Sequence, residues 1–195
     1  MDALIPPGNA LAFRLIRHGS PIGTHTVTFE RSDAALQVRI AVDAQVRFGP
    51  IPLYRYVHHA VEVWRDGLLQ EVSSRTDRNG TALSMRAQRN ANGLAAQGTG
   101  TPPYVAPEEA LPTTYWNRRM LHVPLVGIQD ATLLHPEVTR RGQDTIRTGS
   151  GAPLRVDLWQ LSGDLDLTLL YDMDGHWAGM RLTVADGSAV TYERL

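Results

Sequence analysis

The residues best suited to chemistry lie in one run, Leu53 to Arg65. Successive side chains of a β-strand point to opposite faces, so the run divides into two sets. Tyr54, Tyr56, His58, Ala60, Glu62 and Trp64 share one face; Leu53, Arg55, Val57, His59, Val61 and Val63 share the other. The first face is aromatic with two ionisable groups, a composition common in ligand-lining walls. His58 and Glu62 stand two pleats apart, about 13 Å by strand rise, too far to share a proton but able to face one cavity. Aromatic strand residues are more often packing, so the competing reading is a filled core with its ionisable groups at the ends.

A second concentration is Leu111-Pro112-Thr113-Thr114-Tyr115-Trp116-Asn117. Tyr115, Trp116 and Asn117 either touch a ligand or pin a short helix to the rest of the fold. Other chemistries find little support. The chain has no cysteine and all 19 of its basic residues are arginine, which excludes thiolate nucleophiles, Cys-ligated metals, Schiff bases and a phosphate-loop lysine. His58 and His59 are strand neighbours on opposite faces and cannot chelate one ion, and the seven histidines show no ligand spacing. Asp172-Met173-Asp174-Gly175, with Asp164 and Asp166 nearby, echoes a calcium loop but lacks the closing glutamate. Gly149-Ser150-Gly151 lacks the strand-to-helix setting of a nucleophile elbow. No metal, cofactor or catalytic triad is expected.

These residues must be positioned by strands. Leu36 to Asp43, Thr81 to Gln88 and Leu165 to Asp172 alternate a drier face with a wetter one, the pattern of antiparallel sheets. Asp66-Gly67, Asn79-Gly80, Asn92-Gly93, Ser162-Gly163, Asp174-Gly175 and Asp186-Gly187 mark tight turns. The spacing predicts hairpins over 11–31, 34–65, 67–88 and 92–98, then strands over 138–148, 153–162, 164–172, 176–184 and 188–194. Between them Thr99 to Pro136 carries five internal prolines, from Pro102 to Pro124, and breaks the rhythm. Thr113 can cap a short helix over Thr114–Leu121, laid over the mouth or core of a barrel. The expected fold is therefore all-β: a long antiparallel meander coiled into a barrel or half-barrel with one short inserted helix. It forms a single domain over 1–195, comprising a hairpin set (11–98), a crossover (99–136) and a second set (137–195). A net charge of −1, with dispersed arginines, speaks against a nucleic-acid partner, and no apolar run reaches the roughly 18 residues of a membrane span.

The motifs together resemble a family. Gly19-Ser20-Pro21-Ile22-Gly23-Thr24-His25 and the run from Tyr56 to Gly67 are similar to its N-terminal signatures. Thr76 to Gly80, Leu111 to Asn117, Leu169 to Asp172 with Gly175-His176-Trp177, and Asp186-Gly187-Ser188 with Tyr192 resemble the remainder. The family is domain-of-unknown-function family 6134, small bacterial proteins usually made with a signal peptide. The resemblance implies a periplasmic or secreted protein, and a cytoplasmic one if Met1 is the native start. At the level of fold the coiled sheet is similar to lipoprotein-carrier half-barrels.

Three functions fit. In the first, a curved sheet lined by Tyr54, Tyr56, Trp64, Leu167, Leu169 and Tyr171 binds a lipid or other apolar molecule, with His58 or Glu62 orienting a head group. In the second, a cofactor-free enzyme uses His58 or Glu62 as acid or base, with Tyr54 or Asn117 polarising the substrate. In the third, an envelope scaffold recruits partners through open sheet edges.

Overall fold

Alternation and turn chemistry are realised almost throughout. In the computed structural model, which describes residues 5–32, 35–48, 51–184 and 186–195, the first half forms eight consecutive antiparallel strands. These are β1 (Ala10–Arg17), β2 (Ser20–Arg31), β3 (Leu36–Phe48), β4 (Ile51–Arg65), β5 (Leu68–Arg78), β6 (Thr81–Asn90), β7 (Gly93–Gly98) and β8 (Thr101–Ala106). The turn expected between β3 and β4 falls at residues 49–50, outside the described residues. Asp66-Gly67 and Asn79-Gly80 both take positive φ at both positions (48° and 78°; 53° and 87°), the geometry that tightens a hairpin along the natural twist of its strands. His18-Gly19 does the same between β1 and β2.

The second half supplies β12 (Glu137–Arg147), β13 (Pro153–Ser162), β14 (Leu167–Asp172), β15 (Trp177–Thr183) and β16 (Ala189–Arg194). β16 pairs with β1, so the sheet has thirteen strands in the order β12-β13-β14-β15-β16-β1-β2-β3-β4-β5-β6-β7-β8. Among the described residues β8 and β12 do not pair, and the coiled sheet stays open. Both free edges are blunted against strand addition. β8 carries Pro102 and Pro103, whose nitrogens cannot donate, and β12 carries exposed Arg140 and Arg141 beside an irregularity at Arg140/Gly142. No helix among the described residues is long and apolar enough to cross a membrane.

The concave face holds the main core, running from Phe13, Val27 and Val38 round to Leu161, Leu169 and Trp177. The crossover fills much of it. A small second sheet forms from β9 (Leu111–Pro112), β10 (Leu125–Val126) and β11 (Leu133–Leu134), with β9 and β10 parallel. Trp116, Met120, Leu121, Leu125 and Val126 are buried against the large sheet. The expected helix over Thr114–Leu121 is replaced by one 3-10 turn, Arg118–His122. The reason is local. Tyr115 has φ 68°, which ends any right-handed helix, and the Leu111 and Thr113 amides donate to Pro124 and Val126 carbonyls. Asn117, not Thr113, caps the turn: its side chain accepts from the Arg119 amide at 3.1 Å. The Thr113 hydroxyl instead accepts from the Ile128 amide at 3.0 Å. Residues 101–106, expected within the crossover, belong to the sheet as its edge strand.

Candidate functional site

Strand register assembles the site. Phe13 faces His25, His25 faces Val42, Val42 faces His58, and His58 faces Thr76, one row across β1 to β5. The next row outward sets Leu15 opposite Tyr192 and Ala44 opposite Tyr56. Val42 and Ala44 are short side chains between large rings, so this end of the concave face is not filled from within. The crossover roofs it with Thr113, Thr114, Tyr115 and Ile128. What remains is a cavity of about 500 Å³. Its walls are chiefly apolar and aromatic, and at its rim Tyr54 is 38% exposed. The even-numbered face of β4 is thus the interior one.

The polar groups in the walls are few. His25 is 4% exposed, and neither ring nitrogen has a hydrogen-bond partner among the described residues. Its ring is edge-on to Trp177 (4.9 Å between centroids), Tyr192 (5.6 Å) and Phe13 (6.2 Å). Burial, with a smaller contribution from His58, lowers its pKa to about 3. His58 shares a hydrogen bond of 2.8 Å between Nδ1 and the Thr76 hydroxyl, and burial, then His59, lowers it to about 4. Both imidazoles are therefore uncharged at neutral pH. Burial also raises the phenols: Tyr115 to about 12, and Tyr56 and Tyr192 further. Arg78 and Asp130 stand one of each sign among the lining residues, Arg78 exposed and Asp130 half-buried.

The nine residues singled out from sequence fall into two groups. Tyr54, Tyr56, His58 and Tyr115 meet in the cavity. Outside it, Glu62, Trp64, Trp116 and Tyr171 tie the crossover to the sheet, and Asn117 caps the 3-10 turn within the crossover. Glu62 is fully buried, and its Oε2 accepts from the indole N–H of Trp64 (2.7 Å) and of Trp116 (3.0 Å), whose rings meet edge to face. Burial pushes the Glu62 pKa upward, against the hydrogen-bonding pull of Thr114 and the two tryptophans. The Tyr171 hydroxyl donates to the Tyr115 carbonyl at 2.8 Å. Sequence reasoning missed His25 and Tyr192 as cavity residues, although each had a signal. His25 shares the apolar face of its strand with Val27 and Phe29, opposite Thr24, Thr26 and Thr28, and Tyr192 shares a face with Val190.

Two other features lie outside this cavity. Asp172, Asp174 and His176 bring their ligand atoms within 4.8 Å of one another. The Asp172 carboxylate already accepts from Arg194 (2.9 Å) and from the Asp174 and His176 amides (3.1 and 2.9 Å), which makes it the brace of a hairpin turn. A wider groove, of about 920 Å³, crosses the opposite face of β4 to β8 among His59, Ser73, Arg75, Arg86 and Gln97. These five side chains are exposed, and one of them, Arg86, pairs with Glu71 at 3.4 Å.

The family model for the domain of unknown function (DUF6134) matches residues 13–195. The chain belongs to this family. No match was found among curated proteins. The DUF6134 chain is similar in structure to a β-barrel-like protein of domain of unknown function DUF1849 from Brucella abortus, with TM-score 0.65 and 9% identity over 95% of each chain. A DUF1089 family protein from Pseudomonas aeruginosa aligns over 89% of each chain with TM-score 0.38 and 10% identity. The first likeness establishes a β-barrel-like fold; the geometry above is what bears on the site of this DUF6134 chain.

Proposed function

We propose that this DUF6134 protein is a binding module that holds a small apolar or amphipathic molecule in the cavity between His25 and His58. The supporting observation is the cavity itself. Its volume of about 500 Å³ lies within the roughly 300–1,000 Å³ typical of ligand sites, and its walls join apolar side chains to a few convergent polar ones. Removing apolar surface from water, worth about 25 cal/mol per Å², supplies the driving force. An acid–base enzyme has less support. Glu62 is occupied by two tryptophans, and neither His25 nor His58 has a carboxylate partner among the described residues. A scaffold working by strand addition is opposed by the blunted edges. An exported location accords with the family resemblance and is tested by fractionating cells that express the tagged full-length gene.

Titration with the uncharged apolar dye Nile red tests binding. The wild type should bind one equivalent with blue-shifted emission, and Ala44→Trp, which fills the cavity, should abolish this while keeping the β-sheet circular dichroism. Undiminished binding by a folded Ala44→Trp variant, or no binding by the wild type, would overturn the reading.

A further inference from the structure

We propose that the cavity selects an uncharged ligand: an apolar body carrying a hydroxyl, carbonyl or amide that hydrogen-bonds to His25, to the exclusion of carboxylates and phosphates. This rests on the binding reading above and adds the chemistry of the occupant. His25 is the only lining side chain among the described residues with buried polar atoms lacking a partner, and it has two of them. A buried polar atom left unpaired is costly, whereas a ligand group that pairs with it recovers that cost. A neutral imidazole offers one N–H and one lone pair, which suits a hydroxyl, or an amide presenting both donor and acceptor. His58 is held by Thr76, and the phenols of Tyr56, Tyr115 and Tyr192 offer further neutral hydrogen bonds.

The only charged side chains in the walls among the described residues are Arg78, which is exposed, and Asp130, which is half-buried. The titratable side chains in the walls are His25, His58, Tyr56, Tyr115 and Tyr192, all neutral near pH 7 because burial lowers the imidazoles and raises the phenols. Tyr54, Arg78 and Asp130 complete the titratable set, and the two charges among them oppose each other. The aromatic rings around His25 give an anion no counter-charge, and an ion buried without one pays a desolvation cost that a neutral group escapes. An anionic group brought up to His25 would meet the rings of Phe13, Trp177 and Tyr192 there, with the one lining arginine, Arg78, exposed.

The test is displacement of Nile red at pH 7.5 by four molecules sharing one chain: 1-dodecanol, dodecanamide, dodecanoic acid and dodecyl phosphate. The alcohol and the amide should displace the dye at concentrations at least about tenfold lower than the acid or the phosphate. His25→Leu should weaken the alcohol and amide by about three- to tenfold relative to its own displacement by plain dodecane, the range of one neutral hydrogen bond. Wild-type affinity for dodecanoic acid or dodecyl phosphate equal to that for dodecanol overturns the selectivity and needs no variant. So does a folded His25→Leu protein that binds dodecanol unchanged. If Nile red itself does not bind, the underlying binding reading fails with it, a result distinct from binding without selectivity.

Discussion

Glu62 is the buried acceptor on which the crossover depends, and replacing it separates the contributions of hydrogen bonding and charge. Glu62→Leu leaves the indole N–H groups of Trp64 and Trp116 without their acceptor at fully buried positions. Each orphaned donor costs about 1–3 kcal/mol, so the pair costs about 2–6 kcal/mol. At roughly 2–4 °C per kcal/mol for a chain of this size, the melting temperature should fall by about 4–24 °C. Glu62→Gln keeps a carbonyl oxygen for the indoles and should melt within a few degrees of wild type in acid. Burial raises the pKa of Glu62, so the stability linked to its proton is fully present below the unfolded carboxyl value of about 4.3. That stability is lost as pH rises through the native value, at up to about 1.4 kcal/mol per pH unit. Glutamine has no such proton to lose, so the glutamine variant should gain on wild type between pH 5 and pH 9. Thermal melts followed by circular dichroism and tryptophan fluorescence at pH 5, 7 and 9 measure both effects. A leucine variant melting with wild type, or a glutamine difference that does not grow with pH, would refute the reasoning.

Three further outcomes follow from the geometry. A Cβ at Gly23 would lie 2.1 Å from the Asp43 carbonyl oxygen and 2.6 Å from Ala44 Cα, so Gly23→Ala should force β2 from β3 and cost about 1–3 kcal/mol in urea unfolding. At Asp157, burial is outweighed by hydrogen bonds from Arg140 and Gln143 and by the charges of Arg140 and Arg118, which hold its carboxyl below the usual range. Its stabilisation is present above the unfolded carboxyl value and lost as pH falls through the native one, so Asp157→Asn should lose less stability than wild type between pH 7 and pH 3 when urea midpoints are compared. Tyr171→Phe removes the donor to the Tyr115 carbonyl and should cost about 1–3 kcal/mol, with faster amide exchange around Tyr115 and the 3-10 turn.

The strands were legible because their alternation is nearly unbroken; Leu36–Asp43, Leu53–Arg65 and Thr81–Gln88, read from period, lie in β3, β4 and β6. Turns read correctly where Asn-Gly or Asp-Gly marked them, and His18-Gly19 escaped because histidine is a rarer occupant of the same left-handed geometry. Two prolines concealed β8, since an edge strand tolerates residues that a central strand rejects. The crossover was over-read as helix because Trp116 and Met120 stand one turn apart, whereas the backbone bonds of Leu111 and Thr113 run to β10. The aromatic face of β4 was visible, but not the division along it. Glu62 lies on the same face as His58, yet Trp116 arrives from a distant segment to occupy it. Which end of the concave face stays empty is decided by the register that sets Val42 between His25 and His58 and Ala44 beside Tyr56, a long-range property that single-strand patterns do not carry.

The pairing of β1 with β16 makes the order of synthesis matter. β1 waits beside its missing neighbour until β16 is made, and the two halves of the sheet are joined only then. Contacts between such distant parts of a chain are slow to form, and an uncovered strand edge is an invitation to aggregation in the interval. A chain whose β16 has not yet left the ribosome therefore cannot join the two halves of this sheet, and that pairing waits until Arg194 has emerged.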